Sequence, residues 1–145
     1  MLITNHVLSG AVVGHLARTP AGALAAGVAS HFALDVVPHF GVDDAHLMKV
    51  AVPDGLLGLA AIGTVLARTP PHHRLRVAAG IVGACLPDLD KPGRELVGRS
   101  PFPARFDRWH ARIQSESPRR FVVEVAGAAV FALALRRLAR ARRRR

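Results

Sequence analysis

Apolar residues in this chain come in long unbroken runs rather than in stripes. They dominate residues 7–17, 21–37, 50–67, 75–86 and 121–138, separated by stretches rich in Pro, Arg and other polar residues. A run that is apolar all round suits a helix enclosed by other helices or by lipid, because a water-facing helix keeps a polar side. No segment alternates with the two-residue period of a strand, and no solenoid-length repeat is present. The pattern predicts an all-α fold, a membrane-embedded bundle of about five short helices. Thr4 or Asn5 is available to cap the first, and Gly10 and Gly14 stand at the spacing that lets helix backbones approach closely in lipid. The second, at 1.5 Å per residue, spans roughly 25 Å against a hydrocarbon core of about 30 Å. Pro38 should end it near Val37. Pro53 fits the first turn of the third helix, which places Asp54 near that helix's N-terminus. Pro87 stops the fourth. Between residues 91 and 120 a short amphipathic element over 106–116, with Phe106, Trp109 and Ile113 on one side, suits a membrane interface.

Composition sharpens this picture. The 145 residues make one domain, read as a helical membrane domain over 1–138 and an Arg-rich tail over 139–145. Half of the residues are hydrophobic, 21% are charged and the mean hydropathy is +0.25. Of 20 Lys and Arg, fifteen follow residue 90, which separates charge from the apolar runs. The expected location is the cell membrane, crossed several times, with membrane lipid as partner. The seven arginines of 136–145 favour a cytoplasmic tail, while the eight basic residues of 91–120 would then face the other side. The net charge of +10 also invites nucleic acid, but no recognition motif or basic-aromatic patch accompanies it, so no nucleic-acid partner is expected. Cys85 stands alone, which excludes an internal disulfide and a CxxC metal site. No basic n-region precedes the first run, so no signal peptide is expected and His6 stays in the protein.

Any metal must therefore be held by His and carboxylate. His31, Asp35 and His39 recur every four residues, and on a helix the first two share a face. When successive helices alternate direction, His6, His39, Asp54, Asp88 and Asp90 all fall at one end of the bundle, with His110 in the next connection. Carboxylates at membrane depth cost about 2.5 to 3.5 kcal/mol each on insertion scales, so partners or a function are the default expectation. Plainer readings stand beside this one. His31 and Asp35 can simply satisfy each other, Asp54 can cap a helix, Asp88 and Asp90 can form a turn, and His6 can sit in water. His15, His46, His72 and His73 have no convergent partners and read as interfacial or loop residues.

Thr4-Asn5-His6, the segment Ser30-His31-Phe32-Ala33-Leu34-Asp35-Val36-Val37-Pro38-His39, and Leu86-Pro87-Asp88-Leu89-Asp90 together resemble the YdjM-type membrane-bound metal-dependent hydrolases. The resemblance covers most of residues 4–114 and implies a distant relation to zinc-dependent phospholipase C-like enzymes. It implies that His6, His31, Asp35, His39, Asp88 and Asp90 belong to a metal and active-site set. The family's later element carries a second histidine where this chain, after His110, has Gln114. Mixed imidazole and carboxylate donors favour zinc, manganese or iron, with zinc leading, as one or two ions. Metal-activated water would attack a phosphoester or lipid-linked substrate, with Asp54 or Asp90 as general base or as a partner orienting a ligand, and His110 close by. The alternative is a non-catalytic integral membrane protein whose His/Asp cluster, metal-bound or not, is structural. An enzyme keeps an open metal position and a structural site closes it. Nothing in the sequence selects a substrate or an oligomeric state.

Overall fold

The structure, a computed structural model, describes residues 1–143. Its elements are α1 (Ile3–Leu16), α2 (Pro20–Asp35), α3 (Asp44–Arg68), α4 (Pro71–Cys85), a 3-10 turn (Leu86–Leu89), α5 (Asp90–Val97), α6 (Ala104–Ile113), a second 3-10 turn (Pro118–Arg120) and α7 (Phe121–Arg143). There are no β-strands among the described residues, only one isolated parallel bridge between His39 and Glu116.

The centre of the bundle is α1, α2 and α4, packed through glycine. A Cβ on Gly10 would lie 2.6 Å from the Gly80 carbonyl oxygen, and one on Gly14 would lie 2.7 Å from Val77 Cα. Gly27 faces the same Gly80 carbonyl from α2, and Gly83 faces the backbone of Leu24, each closer still. Small residues at these crossings let backbones touch, so the Gly10/Gly14 spacing serves helix packing. Val7, Ala11, Val77 and Ile81 form the apolar core, with Ala61, Ile62, Val65, Leu66 and Leu135 of α3 and α7 laid against it.

Helix ends differ from expectation where a distant side chain takes over a local role. α1 begins at Ile3 without a local side-chain cap. Its first amides donate to Asp54 of α3 instead, Ile3 N at 2.6 Å and Thr4 N at 3.3 Å. Thr4 donates its hydroxyl to the same carboxylate at 2.6 Å. α3 starts earlier than Pro53 suggests because Asp43 caps it, accepting from His46 N. Pro53 and Asp54 therefore lie inside a 25-residue helix, not in its first turn. α5 is an element that the Pro- and Gly-rich composition of 91–120 conceals. It ends on Gly98, whose φ of +74° makes the left-handed turn that closes a helix.

Among the described residues one helix, over Ala45–Arg68, is long and apolar enough to cross a membrane, with a mean hydropathy of 1.8. α1, α2 and α4, with 14, 16 and 15 residues, each extend about 21–24 Å at 1.5 Å per residue.

Candidate metal centre

The four largest fully buried side chains are histidines: His6, His31, His39 and His110. Three of them gather at one end of the bundle, where α1 begins, α2 and α4 end, and α6 crosses. Asp35 stands one helical turn beyond His31, so both project from the same face of α2. Asp88 arrives on the 3-10 turn that Pro87 imposes after α4. His110 comes from the last turn of α6, whose Phe106 and Trp109 pack around Phe32.

The donor atoms of His31, Asp35, Asp88 and His110 all lie within 4.8 Å of one another, and all four residues are buried. His31 Nε2, His110 Nε2 and Asp35 Oδ2 form a triangle whose three edges are each 3.0 Å. His31 Nδ1 donates to the Ala84 carbonyl at 2.8 Å. A carbonyl only accepts, so Nδ1 carries a proton, and the other ring nitrogen, Nε2, faces Asp35 and His110. The backbone of α4 thus holds a proton on the ring of a residue on α2. Three separate hydrogen bonds cannot run round the triangle, although the Gln114 side-chain amide also reaches Asp35 Oδ2 and His110 Nε2. The His31–His110 edge needs one hydrogen between two nitrogens, both edges to Asp35 need one each, and each Nε2 carries at most one. Three potential ligand atoms converging from two helices, α2 and α6, make the arrangement a cation requires. Neighbouring ligands about 2.0–2.1 Å from one ion are about 3.0 Å apart in octahedral and about 3.4 Å apart in tetrahedral geometry, so the 3.0 Å triangle is near the spacing a divalent metal sets.

His6 stacks on His31 with ring centroids 4.1 Å apart. Its Nε2 lies 3.2 Å from Asp35 Oδ1 and 3.8 Å from Asp88 Oδ2, and neither ring nitrogen has a hydrogen-bond partner among the described residues. The Met1 amino group meets Asp35 Oδ1 at 3.0 Å. Lys91 Nζ approaches Asp88 Oδ1 at 3.1 Å. Burial works against the Lys91 charge, and the Asp88 carboxylate outweighs it, raising the lysine's pKa.

The remaining expected site residues stand outside this group of four. Asp54 is occupied by the N-terminus of α1. Asp90, at the start of α5, lies 3.6 Å from Arg94. His39 follows Pro38 into an extended segment, its amide donating to Ser115 O and its carbonyl accepting from Ser117 N. Its Nδ1 donates to the Val37 carbonyl at 2.7 Å, and its Nε2 faces Glu116 Oε1 at 3.5 Å. That contact holds the Glu116 carboxyl below its ordinary range. His46 is exposed and bonded to Asp43.

Two residues matter here that sequence reasoning passed over. Glu124, on α7, is buried and accepts from Leu2 N, Asn5 Nδ2 and Phe40 N at 3.1, 2.7 and 3.1 Å. It ties α7 to the N-terminal turn and to the segment after His39. Its signal was available, since it is the one carboxylate in the apolar run 121–138. Glu116, the partner of His39, gave no such signal. The chain matches no protein-family model, and no curated protein or solved structure matches it either.

Proposed function

We propose that this chain is a membrane-bound metalloprotein, holding a divalent cation with His31, Asp35 and His110, and that it acts as a hydrolase of phosphoester or lipid-linked substrates. The observation that carries the metal centre is the buried 3.0 Å triangle of His31 Nε2, His110 Nε2 and Asp35 Oδ2, with Asp88 in the same group of donors within 4.8 Å. Asp88 stands ready as a further ligand, and His6 as a ligand or proton carrier beside Asp35. Zinc is the leading ion for two imidazoles with carboxylate, and manganese and iron suit the same donors. A bound ion supplies Lewis acidity and a water whose pKa falls toward about 7. Lys91, at the half-exposed edge beside Asp88, is placed to attract an anionic group. Phe32 packs against His31 and His110, and Phe106 against His110, so both rings cover the histidines. The hydrolytic reading leans also on the resemblance of the His31–His39 and Pro87–Asp90 segments to YdjM-type enzymes.

Membrane association rests on an inverted distribution of side chains. Among the described residues twelve buried positions are polar or charged, and six of the other buried positions are glycine, while Leu56, Leu57, Leu59, Val122 and Val130 are exposed. Exposed apolar surface on this scale marks contact with lipid or protein. α3 crosses the bilayer in this reading, and the shorter helices pack against it.

A second reading has a specific observation in its favour. All four donors of the cluster are buried, as in a structural site whose coordination is closed. Activity separates the two. Detergent-purified protein loaded with zinc or manganese should hydrolyse phosphoesters, including phospholipid headgroup esters, and Asp35→Asn should abolish turnover. Stoichiometric metal without turnover on any phosphoester would leave the structural ion standing and sink the hydrolase.

A further inference from the structure

The geometry points to Gln114 as a fourth ligand of this centre, through its side-chain carbonyl oxygen. The inference rests on the metal centre proposed above. Gln114 follows α6 directly, with an extended backbone (φ −81°, ψ 133°) that turns it out of the helix four residues after His110. Its terminal amide lies 2.9 Å from Asp35 Oδ2 and 3.1 Å from His110 Nε2. Those are the same spacings that separate the three donors of the triangle. The side-chain tip thus occupies the next ligand position around the same point.

In the structure the amide turns its NH2 group to the carboxylate, as a donor facing an acceptor must. A cation reverses that preference. It repels the NH2 and attracts the carbonyl, and a half-turn about the last side-chain bond exchanges the two atoms without moving the backbone. Two imidazole nitrogens then face two oxygens, one from carboxylate and one from amide. Carbonyl and carboxylate oxygens suit manganese better than imidazole does, so the centre is harder than one with three histidines. Gln114 therefore sets metal preference as well as completing the shell.

The test loads detergent-purified wild type, Gln114→Leu and Gln114→His with Co2+ and records visible absorption, paramagnetically shifted proton spectra and affinities for Zn2+ and Mn2+. Helicity and elution volume establish that each variant is folded. Gln114→Leu should bind Co2+ at least about tenfold more weakly, although loss of an outer hydrogen bond can cost as much. Gln114→His is decisive. It should shift the Co2+ bands, add a far-shifted exchangeable imidazole N–H, and raise the Zn2+ to Mn2+ affinity ratio at least tenfold. Unchanged bands and no added imidazole signal in a metal-loaded Gln114→His variant would make Gln114 an outer partner of Asp35 and overturn the inference, leaving the centre intact. Failure of wild type to bind any of the three ions would overturn the centre itself and this ligand with it.

Discussion

Glu124 offers the sharpest way to perturb the architecture that builds the centre without touching a donor atom. Oε2 accepts from Leu2 N and Asn5 Nδ2, and Oε1 accepts from Phe40 N. Glu124→Ala removes the side-chain acceptor of three donors at once, of which Asn5 Nδ2 keeps a bond to the Glu124 backbone carbonyl at 3.1 Å. An orphaned buried donor costs about 1–3 kcal/mol. Leu2 and Phe40 are only partly buried, so water can reach some of what is lost, and neighbouring losses do not add. The expected cost is about 3–5 kcal/mol. Glu124→Gln keeps one oxygen for Leu2 and Asn5 and sets its NH2 against the Phe40 N–H, so it should cost about 1–2 kcal/mol. For a chain of this size that corresponds to a fall in Tm of about 6–20 °C for the alanine variant and a few degrees for glutamine. Thermal unfolding in mild detergent, followed by helicity and by the fluorescence of Trp109, reads both. Because Glu124 fixes the turn that carries Met1 and His6, the alanine variant should also lose metal affinity. If both variants unfold within about 1 kcal/mol of wild type, Glu124 does not hold the N-terminal turn and the reasoning fails.

Gly80→Ala would press a Cβ onto the Gly10 carbonyl and within 2.9 Å of Gly14 Cα, both backbone, and should cost about 1–3 kcal/mol. Gly55→Ala, on α3 with nothing within 4 Å of the new Cβ, should instead stabilise by up to about 1 kcal/mol, and thermal unfolding of the two side by side reads the opposite signs. The His39 contact lowers the Glu116 pKa from its ordinary value of 4.5, so it contributes stability that is present above pH 4.5 and lost as pH falls through the lowered value. Glu116→Gln should therefore unfold more readily than wild type at pH 6, with the gap closing below pH 4; a gap independent of pH would contradict this linkage. Metal at a hundredfold excess over its Kd should raise stability by about 2.7 kcal/mol, and a chelator should return Tm to the ion-free value.

The sorting of chemistry to one end of the bundle was legible because it depends only on helix count and alternation. His31 with Asp35 was legible for a local reason, the i,i+4 spacing on one helix face. The end of α2 near Pro38 and the 3-10 turn at Pro87 followed from proline's fixed geometry. What escaped depends on contacts across the sequence. Asp54 looked like a cap for its own helix and instead serves α1, about fifty residues away, because α3 begins at Asp44 and carries it past the first turn. His39 continued the four-residue rhythm on paper, but the extended chain after Pro38 pairs it with residues 115–117 and turns its ring to Glu116. His6 is not wet at all, because the N-terminal turn folds inward onto Asp35. α5 was hidden by Pro92, Gly93 and Gly98, of which only the last ends a helix.

The most direct test of the central claim is metal stoichiometry by plasma mass spectrometry on detergent-purified wild type, His31→Ala and Asp35→Asn. Wild type should carry about one equivalent of a transition metal, zinc or manganese first, and both variants should carry almost none while retaining helicity. A folded wild type that stays metal-free after reconstitution, or variants that retain the full equivalent, would contradict a cation at the His31–Asp35–His110 triangle.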